Sequence, residues 1–416
     1  MKQLLQKSIN SGFLYVFVAN IFAYFVAFCG SVIYARLMGR YDFGLYSFAY
    51  NIISFFLLVN GFGAASGILQ YVSKNKEPTL QLSYLKFSMG MGIIFNGILS
   101  IAIFIYAWVV PLPVAGVRNI LIAMAFFPVG RLYLDIFQAY LRATKQNQLL
   151  AKFAISTNLF LLITNIIGVY YAHILGLVIA TYISYAIIII FSTHIYHLPN
   201  PLRIITIPIK YREFVGYSIY ATVGNAFSQL VFILDILLLG YIIKDPVIIA
   251  LYKVATIIPF ALNFIPGVIC SFFYPYFAEH SDNYVYIKML KQKIQYGMLC
   301  FSIITSLILI IIAKPLIILI FGDAYVGSVV PFRILCFGFW IVASFRIVNG
   351  SILASLGHAK FAMWFNIVIV IINVFITYWL IVYYGVIGAA IGVVLVYILA
   401  SAIAAYFLHQ ILSNEN

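Results

Sequence analysis

Charge is what this 416-residue chain has least of: Asp, Glu, Lys and Arg make up 8% of it, and only 10 residues are acidic. A water-soluble domain carries roughly a quarter of its residues charged, so 65% hydrophobic residues and a mean hydropathy of +1.10 exclude that class. Cysteine is scarce too, at 4 residues. Cys29, Cys270, Cys300 and Cys336 fall in apolar runs without metal-ligand spacing, which reads as small apolar packing rather than disulfide or metal chemistry. His173, His194, His197, His280, His358 and His409 sit near run ends or in short connections and form no ligand cluster. No Gly-rich loop carries the Lys-Ser or Lys-Thr pair that holds a nucleotide phosphate, so ATP is not expected as the direct energy source. No cofactor is expected, and what remains open is a coupling proton or sodium ion.

What the chain has instead is long apolar runs. Each is long enough to cross a bilayer at about 1.5 Å per residue. They fall at 12–35, 43–71, 84–110, 119–141, 148–171, 173–196, 214–242, 246–277, 294–314, 328–352, 362–384 and 386–410, which predicts twelve helices. The alternating period of membrane strands is missing, so the expected fold class is an all-α integral membrane protein rather than a barrel. The first run passes Arg36 into further apolar sequence with no small-residue cleavage site, and reads as a retained span.

The basic residues orient these spans. With a cytoplasmic N-terminus, the inner segments hold Lys2, Lys7, Lys74, Lys76, Lys86, Arg142, Lys145, Lys152, Arg203, Lys210, Arg212, Lys288, Lys291, Lys293 and Lys360. The outer turns hold only Arg36, Arg40, Arg118, Lys244 and Lys314. That bias places both termini in the cytoplasm. The net charge of +14 is then accounted for by topology and anionic lipid headgroups, with no nucleic acid partner needed.

Two internal alignments indicate a repeat. Setting Leu45-Tyr46 on Leu251-Tyr252 also brings Ala49 onto Ala255, with a charged turn ahead of each. A second alignment, shifted by 215 residues without a gap, sets Arg131 on Arg346, Ala139 on Ala354, Leu141 on Leu356, Lys145 on Lys360 and Asn158 on Asn373. The expected organisation is a six-helix bundle over residues 1–196, a cytoplasmic linker over 197–213 and a second six-helix bundle over 214–416. Corresponding helices point the same way, a parallel repeat about an axis along the membrane normal.

The stretches "ARLMGRYDFGLYSFA" (35–49), "FGDAYVGSVVPFRIL" (Phe321–Leu335) and "LGHAKFAMWFNIVIVIIN" (Leu356–Asn373) resemble the polysaccharide repeat-unit flippases. These are the Wzx-type translocases, serving O-antigen or capsule, of the multidrug/oligosaccharidyl-lipid/polysaccharide (MOP) exporter superfamily. The likeness runs over nearly the whole chain in helix number, repeat and segment order. It implies a MATE-like fold in a bacterial cytoplasmic membrane. It also implies transfer of undecaprenyl-diphosphate-linked oligosaccharide from the cytoplasmic to the outer leaflet by alternating access. Membrane lipids and a polysaccharide polymerase of the same pathway are the partners it suggests.

Charges inside the spans carry the residue-level reading, since each costs about 2.5 to 3.5 kcal/mol at a helix centre and needs a partner or a wet cavity. Arg131 and Asp135 lie at i and i+4, with Gln138 at i+7, on one helix face, where a structural ion pair and a cavity lining are both open readings. Arg346 sits at the matching depth, but Gly350 replaces the acid, which leaves it as the first candidate for a phosphate or sugar contact. Lys253 begins a stripe with Thr256, Pro259 and Asn263, where Pro259 and Pro266 are expected to bend the helix. Asp235 is either an ion-coupling carboxylate or a counter-charge to Lys253 or an arginine, and Asp135 shares that ambiguity. Arg333, near an outer end, is set aside as snorkelling. Arg36 joins the substrate candidates at the outer turn, although that turn reads first as structural punctuation, with Gly39 and Gly44 permitting tight geometry. With four cations against two anions, the spans hold a net charge of about +2, a sign suited to an anionic diphosphate. A multidrug or cation antiporter of the sister branch, expected to be more acidic, and a membrane glycan polymerase or glycosyltransferase are the alternatives. The latter lacks a sizeable outer loop to hold acid-base groups.

Overall fold

The computed structural model of the protein describes residues 13–195, 207–208, 210–280, 283–356 and 359–413, and among them every regular element is helical. In chain order these are α1 (Phe13–Phe56), α2 (Ala64–Lys74), α3 (Pro78–Val109), α4 (Val117–Met124), α5 (Phe127–Ala143), α6 (Asn147–Ile195), α7 (Tyr211–Leu230) and α8 (Leu234–Ile243). There follow α9 (Pro246–Leu262), α10 (Phe264–Glu279), α11 (Tyr284–Ile311), α12 (Ala313–Phe321), α13 (Val329–Ile341), α14 (Ile347–Ser355) and α15 (Ala359–Ser413). Lys2, Lys7, Arg203, His197, His358 and most of the 197–213 linker lie outside the described residues, as do the side chains of His194 and Lys360.

Among the described residues seven helical stretches are long and apolar enough to cross a bilayer, or nine when the bent pairs α4–α5 (44°) and α7–α8 (56°) each count as one span. Three of the nine are interrupted by non-helical residues, at Gly39, at Ala172–His173 and at Gly385. Divided there, the described residues give the twelve segments that the apolar runs predict.

The interruptions have local causes. Gly39 sits at φ 75°, ψ 173° with open space where a Cβ would be, so its backbone conformation, not crowding, requires glycine. In the corresponding turn Lys244 takes the left-handed conformation (φ 62°) and ends α8. Asp245 then caps α9, its Oδ1 accepting from the Val247 amide at 2.8 Å, and Pro246 opens the helix. The charged turns are thus helix punctuation. Gly44 has a different role from the one its sequence suggests. It is helical, and a Cβ there would fall on the Pro246 carbonyl, so it permits backbone-to-backbone contact of the two turns. Like the bends within 119–141 and 214–242, one further break has no counterpart in the apolar runs: residues Leu57–Gly63 form a 3-10 stretch in which Val59, Asn60, Gly61 and Phe62 all leave the helical region, splitting what reads as one span at 43–71.

The described chain forms two compact units. Residues 13–38 and 49–229 make up one; residues 39–48 and 230–413 make up the other. In the first, α2, α3, α5 and α6 bury Ile68, Leu85, Phe137 and Phe153, and Phe214 of α7 stacks on Tyr84. In the second, Ile287 and Ile294 of α11 pack with Ile352 and Leu353 of α14 and Leu408 of α15. Lipid is as apolar as these side chains, so close contact and polar bonds between helices must add the specificity. Ser302 and Ser344 bond at 2.8 Å, and Ser306 donates to the Cys336 carbonyl at 2.8 Å. In the first unit Thr164 and Ser184 bond at 2.6 Å. Cys270 and Cys336 are buried.

Candidate functional site

In the first unit the carboxylate of Asp135 is the hub. Arg131 and Asp135 stand one turn apart on α5, and the Nε of Arg131 lies 3.1 Å from Oδ1 and 3.3 Å from Oδ2. The amide of Asn60 donates to Oδ2 at 2.9 Å. Asn60 in turn accepts from Asn96 Nδ2 at 2.6 Å; the same nitrogen donates to the Pro128 carbonyl at 2.7 Å, and Asn96 Oδ1 accepts from the Gly61 amide at 2.8 Å. The broken stretch between α1 and α2 is therefore stitched to α3 and α5 through two asparagines. The pair is not sealed: the side chains of Arg131 and Asp135 keep 51% and 29% of their surface accessible, with Tyr50 and Tyr185 within electrostatic reach of the guanidinium. The pair is thus an intrahelical ion pair whose side chains stay partly exposed.

The second unit places Asp235, Lys253 and Arg346 in one neighbourhood with a different logic. Asp235, in the first turn of α8, is 0% exposed. Its Oδ2 accepts from the Tyr252 hydroxyl at 2.7 Å and its Oδ1 from the Ile236 amide at 2.8 Å. Lys253, the next residue on α9, is within electrostatic reach of the carboxylate. A phenol is thus the direct side-chain partner, rather than the cation of the counter-charge reading. Arg346 ends a π-helical turn, Val342–Arg346, that joins α13 to α14. Such turns add a residue to the helical path and are frequent at functional sites. Its guanidinium lies over the rings of Phe232 and Tyr397 at 5.4 and 5.6 Å from their centroids, a cation-π clamp. Among the described residues neither Arg346 nor Lys253 closes an ion pair within 4.0 Å. Asn349, one turn after Arg346, is fully buried with both amide atoms unpaired.

Arg36 is exposed, three residues before the Gly39 break. Arg333 is exposed and donates to the Ile310 carbonyl at 3.1 Å, in keeping with its being set aside. The α9–α10 break comes at Asn263, between Pro259 and Pro266. Residues missed from sequence are Asn60, Asn96, Tyr252, Phe232, Tyr397 and Asn349. The available signal was an asparagine inside an apolar run, which has to be paid for by partners.

Among the described residues, twelve apolar helical segments define a multi-pass membrane protein. The fold is that of the MOP superfamily. An inward-facing multidrug resistance MATE family transporter of that superfamily matches with TM-score 0.71 at 12% identity over 95% of each chain. The lipid II flippase MurJ, in an inward closed conformation, matches with TM-score 0.75 at 14% identity over 95% of this chain and 87% of its own. The Vibrio cholerae MATE transporter VcmN in its bent form gives TM-score 0.65 at 14% identity over 100% and 99%. Among curated proteins, none matches. The model of the polysaccharide biosynthesis protein family matches residues 9–281, and the chain belongs to that family.

Proposed function

We propose that this protein is a flippase that carries a polyprenyl-diphosphate-linked oligosaccharide, with undecaprenyl as the lipid, from the cytoplasmic to the outer leaflet of a bacterial cytoplasmic membrane. The observation that carries this reading is the pair of cations Arg346 and Lys253, neither closing an ion pair within 4.0 Å among the described residues, in the same unit as a carboxylate that accepts from Tyr252. A guanidinium held by aromatic faces keeps its N–H edge free, and that edge forks onto two phosphate oxygens. Membership of the polysaccharide biosynthesis family and a fold shared with a lipid II flippase support the same substrate class.

In this reading Arg131 and the Tyr50–Tyr185 face contact the sugar, and Arg36 stands at the outer mouth. The halves 1–196 and 214–416 alternate access with both termini in the cytoplasm, and a polymerase of the same pathway consumes the product. Asp235 is the candidate for a coupling proton or sodium ion. The test is glycan export at matched protein level. Arg346→Ala and Lys253→Ala lower it at least tenfold, since a charge-assisted bond contributes about 1.5–3 kcal/mol, and Arg346→Lys restores part. In proteoliposomes Asp235→Asn keeps substrate binding and loses the response to an imposed gradient. Full export by both alanine variants, or gradient-driven efflux of cationic drugs instead, overturns the reading.

A further inference from the structure

A pocket of about 380 Å³ lies wholly within the second unit, lined by Lys288, Lys291, Gln295 and Leu299 of α11, Phe345 of the π turn and His409 of α15, among others, with neither Asp235 nor Arg346 in its lining. Lys288, Gln292, Gln295 and Leu299 recur at intervals of four, three and four residues, so they form one face of α11, while Ile287 and Ile294 are buried on another. Among the described residues no carboxylate lines the pocket, and every formally charged side chain in it is a lysine.

The lining is ordered by polarity. Lys288 and Lys291 lie near the start of the spanning helix, the amides of Gln292 and Gln295 follow, and Tyr296 and Leu299 come last with Phe345 beside them. Lys288 to Leu299 spans eleven residues, about 16 Å along the helix. A second pocket of about 380 Å³ shares Lys288, Gln292 and Leu412 and continues along Tyr284, Val285 and Met289. Val285 and Tyr296 are 79% and 68% exposed, which suits a lipid-facing wall. A free phosphate ion uses the lysines and leaves the apolar end unused. A phospholipid uses both: its phosphate takes the ammonium and amide donors, and its first acyl methylenes take Leu299 and Phe345.

We propose that this pocket is a binding site for an anionic phospholipid, held by its phosphate at Lys288 and Lys291, at the α11 end of the second unit. It is separate from the substrate reading above and does not depend on it. The test uses the purified full chain in detergent, with native mass spectrometry counting retained phosphatidylglycerol, phosphatidylcholine or undecaprenyl phosphate, and with inorganic phosphate as competitor. The wild type retains phosphatidylglycerol about tenfold over phosphatidylcholine, as two near-surface lysines provide, and millimolar inorganic phosphate does not displace it. Lys288→Gln with Lys291→Gln brings the ratio below twofold, whereas Lys288→Arg with Lys291→Arg keeps it. Leu299→Trp, which fills the apolar end without touching charge, lowers retention of phosphatidylglycerol at unchanged melting temperature, and this holds the proposal open to test should the glutamine pair not fold. Retention unchanged in both the glutamine pair and Leu299→Trp, equal retention of phosphatidylcholine, displacement by inorganic phosphate, or tighter retention of undecaprenyl phosphate each overturns it.

Discussion

Arg131 and Arg346 are set on each other by the 215-residue alignment, and the structure gives them opposite surroundings. Arg131 has an acid four residues on, and that acid also receives Asn60, which receives Asn96. Arg346 has Gly350 at the same offset and is flanked by Phe232 and Tyr397. The first arginine belongs to a network that fixes a broken helix; the second is held by aromatic faces that leave its hydrogen bonds unspent. The carboxylates divide likewise. Asp135 answers a cation and stays partly open, while Asp235 is sealed and answers neutral donors. Identical depth in a repeat therefore does not give identical chemistry; the residue one turn away decides it.

The largest effect expected from this contrast is on stability in the first unit. Asn96 is fully buried and joins Gly61, Asn60 and Pro128. Asn96→Ala removes the side-chain partner of the Gly61 N–H, of the Asn60 Oδ1 and of the Pro128 carbonyl, costing about 2–4 kcal/mol, and in lipid no water replaces it. Thermal melting in detergent, scored beside Asn158→Ala as an internal control, checks it. An unchanged melting temperature means the break at Leu57–Gly63 holds itself without the asparagines.

That network also marks how far the sequence could be read. The apolar runs located the twelve segments, because lipid demands about twenty apolar residues per crossing, and the i,i+4 rule found Arg131 with Asp135. The break after Phe56 was not legible: "LLVNGFG" is apolar enough to continue a span, and only the left-handed backbone at Gly61, Phe62 and Gly63 ends it. Tyr252 was passed over for Lys253 because neighbouring residues on a helix point about 100° apart, and sequence does not say which of them meets Asp235. Gly44 was credited with turn flexibility when its missing Cβ is what counts.

A middle-sized effect should follow from erasing the difference between the arginines. Gly350 is exposed and has nothing within 4 Å of where a Cβ would lie, so Gly350→Asp is accommodated without repacking. It gives Arg346 the acid that Arg131 has. If a free guanidinium serves the substrate, export affinity falls about tenfold, equivalent to about 1.4 kcal/mol, with melting unchanged. Gly350→Asn, isosteric without the charge, stays within twofold. Equal loss in both variants would mean that bulk at position 350 matters rather than the pairing of Arg346.

The smallest effect expected concerns how Asp235 is held. Its two oxygens accept from Tyr252 and from the Ile236 amide, and Lys253 contributes only through the longer-range field. Tyr252→Phe keeps the buried ring and removes one donor. The lost bond costs about 1 kcal/mol, at the low end for a buried acceptor, because the phenylalanine no longer has a hydroxyl to desolvate. Lys253→Met removes the cation and keeps the chain length, and on this geometry it leaves stability within about 0.5 kcal/mol. The two variants read oppositely under the counter-charge view. If Asp235 and Lys253 neutralised each other as a buried pair, Lys253→Met would strand a charge and be the costly change, about 3–5 kcal/mol, while Tyr252→Phe would be nearly silent. Melting temperatures of both variants, measured in the same detergent, therefore decide which side chain positions the carboxylate. A Lys253→Met loss exceeding that of Tyr252→Phe would return Asp235 to the role of counter-ion and withdraw it from ion coupling.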